Sequence, residues 1–483
     1  MTNLFLGFDV GTQSCKALVI DAERREVVAR AQEPLELLAG LPPGHMEQHP
    51  DRWIDAVQRT ARDVLAAVDG AEIAGIGVSG QQHGCVVLDD GARVVRPAKL
   101  WCDTATSAEA ARLRVPTGFT ASKLLWLKEQ EPHHWQRVRR VLLPHDYVNF
   151  VLTGAATMEC GDASGTGFFD PHRRAFDAAA MAAIDDGLPA LLPPLSAEGA
   201  LAGRLSARGA ELLGLPAGIP VAAGGGDNMM SAIGAGATRP GVVVVSLGTS
   251  GTIFTRADRP VVDPEGLIAP FCSSDGAWLP LCCVMNLTGV TEEIVVLTGL
   301  DHATLTAAAS AVPPGADGLL WLPFLLGERV PDLPNATGTL LGIRPGTLRP
   351  GQLYRAALEG TSLNLGAGLD RMRRLGLDVD EVRLVGGAAR NPLWRAILAA
   401  VFRVPVEPLA EAESAALGAA IQALWSVRRL EEPGLTVDEV AQPFVRTTGA
   451  RTAPEPELVA HYASAAARFA AAVALVHGAG TAR

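Results

Sequence analysis

Cysteine is scarce in this chain, with seven in 483 residues, at positions 15, 85, 102, 160, 272, 282 and 283. The number is odd, the positions are scattered, and neither CxxC nor a cysteine–histidine ligand spacing occurs. That excludes a disulfide framework and a structural zinc site, and a reduced, cytoplasmic protein is the expectation. Positive charge is also short: 41 Lys and Arg stand against 52 Asp and Glu, a formal net charge of −11. No nucleic acid and no anionic membrane surface is therefore expected as main partner. No membrane association is expected from the apolar runs either; the most apolar tract near the end, FAAAVALV at 469–476, is far short of a span. The start lacks the basic stretch and apolar core of a signal peptide. No GxxxxGK[ST] occurs anywhere, which excludes a P-loop.

What is present is globular. Hydrophobic residues make up 48% and charged residues 19%, and the length calls for two domains. The first residues read as a meander: apolar Leu4–Val10, a polar break at 11–14, then Lys16–Asp21 and Val27–Ala31. A similar hairpin recurs at Val242–Leu247 and Thr252–Thr255, and both carry Gly-Thr at the tip, Gly11-Thr12 and Gly248-Thr249. Strand-to-helix units follow each hairpin, which suggests an internal duplication and two α/β domains with a cleft between them. The boundary is expected near GATRPGV at 236–242, dividing the chain into 1–237 and 238–483. The last helix is expected over Glu457–Val476, with a frayed GAGTAR tail after it.

Four glycine-rich strand ends are candidates for chemistry. In DVGTQSCK, Asp9 stands at a strand end beside a turn whose backbone N–H groups and Thr12 suit a phosphate. An acid there suits Mg²⁺ held through water, and an ordinary turn with Asp as capping acceptor explains the same residues. SLGTSG, 246–251, is a second such cradle without the acid. LVGGAARN, 384–391, offers a Gly-Gly surface on which a flat group such as adenine can lie, or a tight turn before a capped helix. In GGGDN, 224–228, an acid precedes an apolar run, where a bare carboxylate is costly unless it has partners or a task. GIGVSG, Gly75 to Gly80, satisfies GxGxxG, but QQHGCVVLDDG after it alternates and turns instead of opening a helix, which rules out a dinucleotide site. His133, His134 and His145 lack metal spacing and are expected at the surface or as caps.

The first three of these Gly-rich strand ends, without a P-loop, resemble the actin-like ATPase superfamily. GFTASKLLWLKEQ (118–130) and GTLLGIRPGTLRPGQLYRAALE (338–359) resemble the two signatures of the FGGY carbohydrate kinases. GQQHG (80–84), LWCDT (100–104), GGGDN (224–228), SLGTSG (246–251), WLPFLLGERVP (321–331) and VGGAARNPLW (385–394) appear in the order of that family, nearly end to end. The resemblance implies an α/β fold of two actin-like, ribonuclease H-like domains with an interdomain catalytic cleft. The first domain would bind sugar and carry catalysis, and the second would bind ATP.

It implies ATP as co-substrate, Mg²⁺, and a ketopentose, D-xylulose, phosphorylated at its terminal hydroxyl. Asp227 would be the general base and Asp9 the acid linked to Mg²⁺ through water. Gln82, His83, Trp101, Asp103, Asp227 and Asn228 would form the sugar site. Gly11 and Thr12 would hold one phosphate and Gly248 and Thr249 another, with Gly386, Gly387, Asn391 and Trp321 at the adenosine. Glu47 matches a family position and is expected in the domain core. The resemblance also allows a homodimer. Only 105–117 separate LWCDT from GFTASK, a segment shorter than is usual in the family, where it packs over the sugar site; the shortening leaves every proposed catalytic residue in place.

Gly224–Gly226 are expected to let sugar and phosphate approach the backbone, and the helix N-terminus to keep the Asp227 pKa low. The rivals are a kinase of the same family for another ketose or polyol, such as ribulose, a sugar alcohol or glycerol, and a non-catalytic actin-like nucleotide-binding scaffold. Glycerol kinases resemble an Arg-Glu pair where this chain has Gln82-His83, which counts against glycerol.

Overall fold

Strand β1, Leu4–Val10, is buried along its whole length, as a continuous apolar run should be when both faces of a sheet are covered. It pairs antiparallel with β2, Ser14–Asp21, which pairs antiparallel with β3, Glu26–Pro34. On its other side β1 runs parallel to β4, Ile73–Gly80. Strands β5, Leu201–Arg204, and β6, Pro220–Ala222, continue the sheet, giving the order β5-β6-β4-β1-β2-β3, and the short β7, Gly225–Gly226, lies parallel to the end of β4. The GxGxxG run thus lies inside β4 and opens no helix.

These strands belong to the first of two units in the computed structural model, which describes residues 3–478. The first unit takes in the chain up to Thr238 together with 271–279 and 413–445; the second comprises 239–270, 280–412 and the chain from Arg446 on. The helix Ser414–Arg428 is therefore part of the first unit, where it covers β1 and β4. Glycines permit the contact: a Cβ on Gly7 would stand 2.1 Å from the Ala416 carbonyl, and one on Gly77 would stand 1.9 Å from that of Ala419.

The second unit repeats the topology. Strand β8, Gly241–Leu247, pairs antiparallel with β9, Gly251–Thr255, and parallel with β11, Val379–Val385. With β10, Trp278–Val284, and β12, Val406–Pro408, the order is β10-β9-β8-β11-β12, and the short strand Ala269–Cys272 pairs with β10 at the sheet edge. In both units the first strand of the meander has the second on one side and a parallel newcomer on the other. This shared order is that of actin-like, ribonuclease H-like domains, and it agrees with the duplication expected from the two hairpins.

The core of the second unit forms around the 25-residue helix Pro350–Arg374. Glu359 on that helix accepts from Arg355 Nε and from the hydroxyl of Tyr462, each at 2.8 Å. Tyr462 belongs to the last helix, Pro456–His477. Among the described residues this is the one helix whose length and mean hydropathy of 1.4 suit a membrane span, a length that the FAAAVALV tract alone did not suggest. Its residues Tyr462, Ala465, Phe469 and Ala472 are nevertheless buried in the core of the unit. Residues 479–483 of the expected frayed tail lie outside the described residues.

Candidate active site

Asp227 opens the helix Asp227–Gly234, directly after β7. Gly225 and Gly226 are in register with Ser79 and Gly80 of β4, so the acid emerges beside the strand that leads into Gln81, Gln82 and His83. Neighbouring side chains fill the space above these glycines. A Cβ on Gly226 would stand 2.7 Å from Gln82 Cγ, and one on Gly225 would stand 2.5 Å from Ser274 Oγ. The expectation that the glycines clear room for sugar and phosphate is corrected accordingly: they make room for Gln82 and Ser274.

Asn228 ties the acid to the glutamine. Its side-chain amide donates to Gln82 Oε1 at 2.7 Å and to Asp227 Oδ1 at 2.9 Å, and its backbone N–H donates to the same Asp227 oxygen at 2.7 Å. Gln82 donates in turn to Met229 Sδ at 3.4 Å. Burial, and then the like charges of Asp9 and Asp162, raise the Asp227 pKa to about 7 against the bonds from Asn228. The low value expected from the helix N-terminus is overturned. A dipole contributes about 0.3–1 kcal/mol at an exposed helix end, and two nearby carboxylates with partial desolvation outweigh it.

Asp9 sits near the end of β1, opposite Lys16 on β2 and in register with Ser79 on β4. Its Oδ1 accepts from Ser79 Oγ at 2.8 Å, while Lys16 is drawn to Glu413 at 2.5 Å. Burial raises the Asp9 pKa against the attraction of Lys16 and the bond from Ser79. The Asp9 charge in turn raises the Asp227 pKa, and a buried carboxylate at a strand end suits a hard divalent cation, directly or through water.

The turn after Asp9 is more heavily committed than the sequence suggested. Gly11 N–H closes it onto the Ser14 carbonyl at 3.0 Å. Thr12 Oγ1 donates to Gln81 Oε1 at 2.9 Å and accepts from Trp101 Nε1 at 3.0 Å. Gln48 donates to the Thr12 carbonyl at 2.7 Å and accepts from Gln81 at 3.1 Å and from Trp53 at 2.9 Å. Trp101 is thereby hung on the Gly11-Thr12 turn. Sequence reasoning missed Gln48 and Gln81, although the first Gln of GQQHG was in plain view.

Asp103 has no exposed surface. Its carboxylate accepts from Lys99 Nζ at 3.0 Å, from Met46 N at 2.9 Å and from Ala105 N at 3.1 Å. Glu47, expected in the core, is there, paired with Arg96 at 2.8 Å and with Lys99 at 3.0 Å. His45, Glu47 and Asp103 are grouped as a metal could require, but the Lys99 ammonium already stands 3.0 Å from both carboxylates and 3.2 Å from His45 Nδ1. Asp103 thus anchors the LWCDT loop from below. Trp101, by contrast, is partly exposed.

His83 has a left-handed backbone, φ 63°. Its ring lies 4.7 Å from Phe119 and 5.9 Å from Phe271, and it packs on Gly165, where a Cβ would meet the imidazole at 1.9 Å. His145 corrects its expectation as a surface or capping residue. It is fully buried, with Nδ1 at 2.8 Å from Asp162 and Nε2 at 3.0 Å from Asp146. Burial opposes its charge, but the two carboxylates raise its pKa well above the usual histidine value.

In the second unit, Gly248 and Thr249 form the tip between β8 and β9, and their carbonyls accept the N–H groups of Thr288 and Leu287 at 3.0 Å. Gly386, φ 93°, packs on the end of β8, where a Cβ would stand 2.6 Å from the Leu247 carbonyl. Nothing lies within 4 Å of where a Gly387 Cβ would be, so this position offers open backbone. Asn391 caps the helix Pro392–Phe402: its Oδ1 accepts from Leu393 N at 3.0 Å and Trp394 N at 3.1 Å, and its Nδ2 donates to Thr306 at 2.9 Å. Trp321 is on a separate two-stranded ladder opposite Leu340, packed against Gly360.

Residues 4–234 match the model of the FGGY family of carbohydrate kinases, N-terminal domain, and residues 243–427 match that of its C-terminal domain. The chain is 39% identical over 451 residues to a xylulose kinase of Haemophilus influenzae, covering 88% of this chain and 90% of the relative. It is 40% identical over 441 residues to a xylulose kinase of Streptomyces coelicolor, covering 87% of each. Among solved structures, a xyloylose kinase from Brucella ovis superposes with a TM-score of 0.91 at 32% identity, over 98% of this chain and 99% of that one.

Proposed function

The chain belongs to the FGGY family of carbohydrate kinases, and we propose that it transfers the γ-phosphoryl group of ATP to the terminal hydroxyl of D-xylulose, giving D-xylulose 5-phosphate. The observation that carries this reading is the Asp227–Asn228–Gln82 relay. An acid with a pKa raised to about 7 is hydrogen-bonded through one amide to a neutral polar side chain. A general base works best when its pKa lies near the working pH, and neutral donors beside an aromatic wall suit a polyol. The relatives at 39% and 40% identity, both xylulose kinases, support the choice of sugar.

In this reading Asp227 accepts the hydroxyl proton as phosphorus–oxygen bond formation proceeds at the sugar and the γ-phosphoryl group leaves ADP. Gln82, His83, Asn228 and Trp101 contact the sugar, and Asp103 fixes the loop that carries Trp101. The Gly11-Thr12 turn and the Gly248-Thr249 tip receive phosphate oxygens. The open backbone at Gly387, beside Gly386, receives the adenosine, with Asn391 setting the turn and Trp321 a further neighbour. Asp9 is the residue that fits Mg²⁺, which when bound supplies positive charge to the phosphate oxygens.

The test is a coupled ADP-release assay over ketoses and polyols with ATP. D-xylulose is expected to give the highest kcat/KM. A preference for ribulose, a sugar alcohol or glycerol would replace the substrate, and absence of turnover together with no heat on titrating xylulose would leave the nucleotide-binding scaffold.

A further inference from the structure

Lys123 is 1% exposed yet has no carboxylate within ion-pairing distance among the described residues. Its amine donates to two backbone carbonyls, His83 O at 2.5 Å and Gly118 O at 2.7 Å. Burial lowers its pKa to about 7, and an uncharged amine has two hydrogens for the two carbonyls it meets. Burying a lysine on main-chain acceptors alone is costly, so the bonds it makes carry the explanation of its place.

The two bonds join two loops. His83 holds a left-handed backbone, which is strained for a non-glycine residue. Its carbonyl receives Lys123 and, at 3.2 Å, Thr120 Oγ1. Its amide N–H donates to the Asp162 carboxylate, which is itself held by buried His145 at 2.8 Å. The second Lys123 bond fixes Gly118, φ 93°, packed against the Trp101 carbonyl, where a Cβ would stand at 2.1 Å. One amine therefore ties the His83 loop to the loop beneath Trp101.

We propose that Lys123 is a positioning residue for sugar specificity: it clamps the strained His83 peptide, with Asp162 on the opposite end, so that the imidazole and Trp101 keep a fixed separation across the ketose site. This rests on the reading of Gln82, His83 and Trp101 as sugar contacts. Loss of the clamp acts foremost on ketose recognition, because Lys123 touches none of the residues assigned to ATP and reaches Thr12 only through Gly118 and Trp101.

The experiment compares wild type with Lys123→Met, Lys123→Gln and Thr120→Val. Lys123→Met is expected to raise the ketose KM by about tenfold or more, the worth of a buried hydrogen bond or two, with the ATP KM changed by less than about twofold. Lys123→Gln, which keeps a donor, is expected to recover part of the loss. Thr120→Val is expected to raise the ketose KM by about twofold to threefold, and it carries the test if the lysine variants do not fold. An unchanged ketose KM in a folded variant overturns the proposal, as does a parallel rise in both KM values. If the wild type does not phosphorylate D-xylulose, the functional reading fails and the clamp is judged by the His83 imidazole NMR resonance, assigned with His83→Asn. It is expected to move in the clamp variants while that of His172 does not, and an unmoved resonance overturns the clamp on its own terms.

Discussion

Gly418 lies flush against the Met230 carbonyl: a Cβ there would stand 1.8 Å from that oxygen, and a Cβ on Gly234 would stand 1.9 Å from the carbonyl of Ser414. The helix that begins at Asp227 thus crosses the helix Ser414–Arg428 backbone to backbone, with the Ser231 and Ser414 hydroxyls 2.7 Å apart at the same crossing. Replacing a mid-helix glycine by alanine gains about 1 kcal/mol of helix propensity. Prising two backbones apart costs roughly 1–3 kcal/mol or more, so the steric effect decides the sign. Gly418→Ala is expected to lower the melting temperature and to depress kcat, because the shift is passed to Asp227. A thermal melt and the coupled assay check both, and wild-type values in both would refute the crossing as a rigid support.

Asp227→Ala is expected to lower kcat by about 10²–10⁴-fold, the usual contribution of a positioned base, while sugar binding persists by calorimetry. With Asp227 near 7, kcat/KM for the ketose should fall on the acid side of a limb centred close to that value, since only the unprotonated carboxylate accepts the proton. A limb centred near pH 4 would mean that the carboxylate is not held up by burial and by Asp9.

The same raised pKa has an opposite signature in stability. The unfolded carboxylate ionises near its ordinary 3.8 and the folded one near 7, so the folded state binds more protons between these values. Stability contributed by this site is therefore full at low pH, declines as pH rises through that window and stays lost above it. Asp227→Asn removes the ionisation and is expected to stabilise the protein by up to about 4 kcal/mol at pH 8, and by less than half of that at pH 5. Urea titrations at the two pH values measure the difference, and equal effects at both would contradict the shift.

Lys99→Met leaves Glu47 and Asp103 buried without their shared cation. The expected loss is roughly 3–5 kcal/mol in denaturant unfolding, as when one partner is removed from a buried ion pair. The double variant Lys99→Met/Asp103→Asn should lose less than the sum of the two single changes.

The parts of this architecture that are local were legible. Leu4–Val10, the Gly-Thr hairpin tips and the helix start after Asn391 each follow from neighbours in sequence, and all are present. The GxGxxG run was correctly set aside because the residues after it alternate. What escaped was set by distant partners. The dipole at the Asp227 helix is visible in sequence, whereas what outweighs it is burial, followed by the charges of Asp9 and Asp162. His145 looked like a cap because Asp162, the second of its two carboxylates, is seventeen residues on. Lys99 and Lys123 drew no expectation from the sequence, since the groups that hold them come from other segments.

The helix Ser414–Arg428, which covers β1 and β4 and braces Asp227, also sets an order of biosynthesis. The strands of the first unit leave the ribosome with Thr238, and their covering helix follows some 175 residues later. At roughly 5–20 residues per second that is a wait of about 10–35 s. Throughout it the nascent sheet carries a bare glycine-lined face at Gly7 and Gly77. A ribosome stalled between the two segments would hold the strands of the first unit without their brace.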